Sequence, residues 1–140
     1  MKENRHKELA RHRMEKALRN LSIARETFHL GFYEEAISKS YYAILTAMRA
    51  LLALRHVDSK RHEGVITLFH KHYVKEELFP KKFNKIITKL KKLREDADYG
   101  DYVAISREVA EMEIQNSEEF LKNAESVIAQ ILSGKNEKKN

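Results

Sequence analysis

Long stretches of this chain place apolar residues three and four positions apart, and almost nothing interrupts them: there are four glycines and one proline in 140 residues. That combination leaves little room for anything but helices, since sheet proteins need turns at short intervals and helices tolerate both breakers poorly. Leu9, Met14, Ala17, Leu18, Leu21, Ala24 and Phe28 mark one face of a helix from about residue 7 to 29. In "HLGFYEE", Gly31 suits the left-handed end of that helix, and Glu34 and Glu35 suit the first turn of a second, from about 32 to 55. The second helix is apolar nearly all round, with Tyr41, Ala43, Ile44, Leu45, Ala47, Met48, Leu51, Leu52 and Leu54. It belongs at the centre of a bundle or against another subunit.

"RHVDSKRHEGV" has no apolar period and reads as a loop, followed by a short helix through Val65, Leu68, Phe69 and Tyr73 that "EELFPKKF" closes. From 81 to 97, Phe83, Ile86, Ile87, Leu90, Leu93 and Ala97 form a stripe, with Lys81, Lys85, Lys89 and Lys92 opposite. After "DYGDY" a fifth helix runs from about 104 to 132, its inner face carrying Val109, Met112, Phe120, Leu121, Ala124, Val127, Ile128 and Ile131. The expected fold is all-α, an antiparallel bundle of about five helices in one domain over residues 1–134, followed by a frayed polar tail at 135–140.

With no cysteine, disulfides, thiolate metal sites and cysteine nucleophiles are excluded. The charged N-terminus "MKENRHKELARHRMEKAL" lacks the apolar core of a secretory signal. The most apolar run, "YYAILTAMRALLAL", is too short to cross a bilayer, so a cytoplasmic protein without membrane partners is expected. A net charge of +6 suits a polyanionic partner, though a solvated lysine face explains it equally well.

The histidines make a poor metal site. "HKH" at 70–72 sends its two rings to different sides of a helix, "RHEGVI" lacks the second histidine of a zinc protease, and "DADYGD" lacks the glycine and glutamate of a calcium loop. No glycine-rich phosphate loop and no G-x-S-x-G elbow is present. Neither a metal nor a cofactor is expected.

The runs "GFYEEAISKSYYAILTAMRALLALR", "SKRHEGVITLFHKHYVK" and "LREDADYGDY", in that order, resemble the HEPN domain, in a branch marked by Tyr-Tyr-Ala and Arg-x-x-x-Asp-Tyr-Gly. The resemblance covers about residues 8 to 132. It implies a helical bundle that forms a homodimer and pairs with a minimal nucleotidyltransferase in a toxin–antitoxin-like system. It further implies RNA or nucleotide binding, and, in many members, metal-independent ribonuclease activity through an arginine followed four to six residues later by a histidine. Arginine neutralises phosphate, and histidine can exchange protons with the ribose 2'-hydroxyl or the leaving oxygen. A purely structural helical dimer is a further alternative.

The matching position here is Arg94, then four residues, then Tyr99 where the pattern has histidine, and a phenol is a weak general base at neutral pH. Arg55 with His62 satisfies the spacing, as does Arg5 with His12. His62 is therefore a candidate beside Arg94 and Tyr99, with a helix-start histidine bonded to backbone as the alternative. Tyr41 reads as core and Tyr42 as either core or groove beside Arg94. Asp98 pairs with Arg94 either structurally or until phosphate displaces it. Lys85, Lys89 and Lys92 are the candidate phosphate contacts of the fourth helix, where seven basic residues precede the first acid, Glu95.

Overall fold

The computed structural model describes residues 2–99 and 104–134, with side chains from residue 4. It contains α1 (Lys2–His29), α2 (Tyr33–Leu54), α3 (His62–Phe69) with a π-helical extension (His70–Val74), α4 (Lys82–Tyr99) and α5 (Arg107–Leu132). No strand occurs among the described residues. The all-α bundle expected from the apolar period is the fold observed. The expected 135–140 tail lies outside the described residues.

Helix ends follow local chemistry. Gly31, at φ +85°, ends α1 with Phe32 N donating to Thr27 O at 2.9 Å and Gly31 N to Phe28 O at 3.0 Å. This paired closure needs a left-handed residue, which glycine adopts without a steric penalty. The same closure ends α2, with His56 at φ +59° and Val57 N donating to Leu52 O at 3.2 Å. Ser106 starts α5 because its hydroxyl accepts from Val109 N at 3.1 Å, which sets the first turn slightly later than the apolar pattern alone indicates.

The segment read as loop through residue 65 is helical from His62 onward. A short extended link at Arg61, rather than a breaker residue, marks the start, so hydrophobic period alone could not locate it. Phe69, at the end of α3, and Tyr73, in the π turn, both point inward, and the Tyr73 hydroxyl donates to Leu51 O, a carbonyl of the last turn of α2. Burial pushes the Tyr73 phenol well above its ordinary range.

α2 is central: α1, α3, α4 and α5 all pack on it. Its apolar girdle is thus covered within the chain, and helix apolarity by itself does not call for a second copy. The apolar side chains left exposed are elsewhere, at Leu9 and Leu18 on α1, Leu30 and Phe32 at the α1–α2 turn, and Met112 on α5. Among the described residues no helix is long and apolar enough to cross a membrane.

Candidate functional site

Arg94 sits on the inner face of α4, in line with Phe83, Ile87 and Leu90, and is 9% exposed. An arginine so placed must be compensated, because a buried cation loses its hydration. Its Nη1 donates to Asp98 Oδ2 at 3.0 Å, one turn along the helix. Its guanidinium carbon lies 5.2 Å from the ring centroid of Tyr41 and 5.6 Å from that of Tyr42. Consecutive positions on α2 diverge by roughly 100°, yet both rings lie near the same cation, their own centroids 5.4 Å apart. The Arg94 Nε, also buried, makes no hydrogen bond among the described residues.

His62, the first residue of α3, completes the cluster. Its Nδ1 is 3.5 Å from the Tyr41 hydroxyl, and its ring stands nearly perpendicular to Tyr42 at 5.8 Å between centroids. Partial burial and the positive charges of Arg94 and Arg49 hold the imidazole below its ordinary range, so it is mostly neutral at neutral pH. Burial pushes the Tyr41 phenol up despite the Arg94 charge, so it keeps its proton.

The loop that presents His62 is tied to the bundle. Arg49 Nη1 donates to Asp58 Oδ1 at 2.9 Å and to Ser59 O at 2.6 Å, while Arg13 donates to Asp58 Oδ2 at 3.2 Å and to Arg49 O at 3.0 Å. Gly64 lets Ser59 lie against the first turn of α3: a Cβ there would be 2.0 Å from Ser59 Oγ. The glycine in "RHEG" is thus a packing requirement.

The structure therefore brings together Arg94, His62, Tyr42 and Asp98 of the candidate residues, and adds Tyr41. Tyr41 is core, at 2% exposed, and also part of the cluster, a double role that burial hid in the sequence. His62 meets Arg94, not Arg55, whose guanidinium lies 5.2 Å over the Tyr73 ring. Arg5 and His12 are exposed on α1, away from this cluster. Tyr99 is 78% exposed and makes no bond or ring contact to Arg94. Phosphate contact by it would have to come from outside the cluster.

Lys85, Lys89 and Lys92 occupy a stripe roughly 180° around α4 from Arg94 at about 100° per residue. Lys89 Nζ is 3.4 Å from Oε2 of Glu113, a fully buried carboxylate on α5, and Lys92 pairs with Asp96 at 3.7 Å. Lys91, not the stripe, turns toward α3, where it lies 3.8 Å from Glu63. Among the described residues no group of three or more metal-ligating side chains gathers. What the cluster offers is a partly desolvated cation beside two aromatic rings, a neutral imidazole and a protonated phenol, which suits an anionic ester more than a metal or a neutral substrate.

The HEPN domain profile matches residues 10–127. A protein of Methanocaldococcus jannaschii named "Putative toxin" is 34% identical over 119 residues, 85% of this chain and 88% of that protein. A second of the same name and organism is 28% identical over 126 residues, 89% of this chain and 86% of its own. A "UPF0332 protein" of Archaeoglobus fulgidus is 31% identical over 116 residues, 83% of this chain and 92% of that protein.

Proposed function

This chain belongs to the HEPN-domain family, and on that premise we propose that it binds the phosphate of RNA or a nucleotide at Arg94 as the toxin-like partner of a minimal nucleotidyltransferase. The observation that carries the reading is the buried Arg94 guanidinium beside the Tyr41 and Tyr42 rings, its Nε making no hydrogen bond among the described residues and its Nη1 donating to Asp98. A phosphate entering there would exchange with or share the Asp98 contact, and the tyrosine rings offer a surface for a base or sugar. Relatives named as toxins support the toxin-like role. A homodimer and a cytoplasmic location complete the proposal, with the exposed Leu30 and Phe32 as available contact surface. Adding a short single-stranded RNA while following the ring resonances of Tyr42 and His62 tests it: unchanged resonances at saturating RNA would remove the site.

A second reading is favoured by the position of His62 beside Tyr41, namely metal-independent cleavage of RNA. With its proton on Nδ1, toward the Tyr41 oxygen, His62 presents a free Nε2 lone pair to a ribose 2'-hydroxyl. The 2'-oxygen would bond to phosphorus as the bond to the 5'-oxygen breaks, the 2'-proton passing to His62 and a proton from solvent or the imidazolium reaching the departing oxygen. Arg94 would stabilise the negative charge gathering on the phosphoryl oxygens. Incubation with RNA in EDTA decides this reading. Fragments with 2',3'-cyclic phosphate ends, lost in His62→Ala and Arg94→Ala, support it; intact RNA leaves binding as the activity.

A further inference from the structure

We infer that Lys91 is a second phosphate-binding residue beside Arg94, so that the ligand is a single strand presenting two successive phosphates, one to each cation, rather than a lone phosphate group. The inference rests on the phosphate-binding reading of Arg94 and adds the neighbouring linkage of the same strand. Lys91 precedes Arg94 by three positions on α4, which places the two side chains on one side of the helix, roughly 4.5 Å apart along its axis. The other lysines of α4 are exposed, and Lys91 alone is half-buried. Its ammonium nitrogen is turned to α3, 3.8 Å from Glu63 Oε1. Glu63 directly follows His62 in the first turn of α3, so the two cations address consecutive residues there. Lys91 is also, with Arg94, among the charges that hold the His62 imidazole below its ordinary range. Both cations therefore act on the same histidine.

Each cation now holds a carboxylate that a phosphate can replace. Arg94 donates to Asp98, and Lys91 lies 3.8 Å from Glu63 and 3.7 Å from Glu95. Neither Lys91 contact is at hydrogen-bond length, so its N–H groups remain uncommitted among the described residues. The exposed Glu63 carboxyl is held below the usual carboxylate range first by its own backbone N–H and then by Lys91. The place beside Lys91 thus already stabilises one anion, and a phosphate brings more acceptor oxygens to the same donors. The flexible lysine stem lets Nζ follow the next phosphate along a strand, whereas the planar Arg94 group, packed beside Tyr41 and Tyr42, fixes the first.

The test is equilibrium titration of the full chain with a 2'-O-methyl trinucleotide, which has no 2'-hydroxyl to attack, and with two versions in which its first or its second phosphate is replaced by an uncharged methylphosphonate. Wild type should lose affinity for either replacement, roughly fivefold at low salt, the scale of one partly screened charge contact. Lys91→Ala should bind the parent strand about fivefold more weakly, ignore one of the two replacements and keep the full response to the other. Arg94→Ala should show the opposite pairing. Lys92→Ala, from the stripe opposite Arg94, should keep the wild-type response to both replacements, and Lys91→Arg should restore it. Unchanged affinity in Lys91→Ala, or a response of that variant to both replacements equal to the wild-type one, overturns the second contact. So does a wild type that responds to one replacement or to neither, since two successive phosphates are then not both held. If Lys91→Ala behaves as expected while Arg94→Ala responds to both replacements as wild type does, the phosphate reading of Arg94 fails and the Lys91 contact stands. Absence of binding by the parent strand overturns both.

Discussion

Asp98 Oδ2 accepts from Arg94 Nη1 at 3.0 Å, one turn away on the same helix, and its carboxylate is about one-third exposed. A phosphate approaching Arg94 therefore meets a negative charge already in place. Asp98→Asn retains an acceptor for Nη1 and removes that charge. The expected result is tighter binding of a phosphate ligand at low salt by about two- to fivefold, the scale of one partly screened charge. Weaker binding would mean that the carboxylate's charge is needed to orient Arg94.

His62 should titrate below the ordinary histidine value, because burial and the charges of Arg94 and Arg49 oppose the imidazolium. Proton chemical shifts of its ring check this directly. Arg94→Gln should raise the midpoint, and Arg94→Lys should raise it less, because the charge remains. The linkage to stability has a definite sign: the unfolded chain binds this proton at about pH 6.5 and the folded chain only below that. The contribution is complete above the unfolded value and disappears as pH falls through the folded one. A midpoint unmoved by Arg94→Gln would separate the two side chains.

Glu113 is fully buried, its Oε2 has no hydrogen-bond partner among the described residues and lies 3.4 Å from Lys89 Nζ, and its Oε1 accepts from Asn116 Nδ2 at 3.3 Å. Lys89→Ala leaves the carboxylate without a countercharge and should cost about 1–3 kcal/mol. Adding Glu113→Gln should recover much of that loss. Urea denaturation of the two single variants and the double variant gives the coupling. Additive losses would show that the pair is not coupled, and a lysine substitution here is in any case no clean probe of RNA contact.

Gly64→Ala should both destabilise the fold, by about 1–3 kcal/mol, and weaken ligand binding at Arg94, since the added Cβ strikes Ser59 and displaces the first turn of α3 with His62. Ser59→Ala does not relieve the clash, because Ser59 Cβ itself would be 2.8 Å away. Ser59→Gly does. Thermal melts and phosphate titrations of the single and double variants test the arrangement, and rescue by Ser59→Ala would contradict it.

Most of the bundle was legible in the sequence because its helices are long and periodic. What escaped was the start of α3 at His62, where no breaker stands, and the π turn at His70–Val74, which has no period of its own. The site was half legible. "REDADYGDY" pointed to Arg94 and Asp98 because a plain turn does not need an arginine, three aspartates and two tyrosines within nine residues, but the partner His62 lies on another helix and no spacing rule connects them. Tyr41 was hidden by its burial. The lysine stripe lies apart from the Arg94 cluster, for a stripe read along a helix carries no statement of which neighbour its face meets, and here it faces α5 and solvent.

The account turns on Arg94 as the phosphate-binding cation, and equilibrium titration of a short single-stranded RNA in EDTA at several salt concentrations tests it most directly. Wild type is compared with Arg94→Ala and with Lys85→Ala/Lys92→Ala, which leaves the Lys89–Glu113 pair intact. Removing Arg94 should cost at least tenfold in affinity at every salt concentration, whereas the lysine pair should change mainly the salt slope, by under one unit per lysine. Equal affinities of wild type and Arg94→Ala, with the fold intact, would contradict the account.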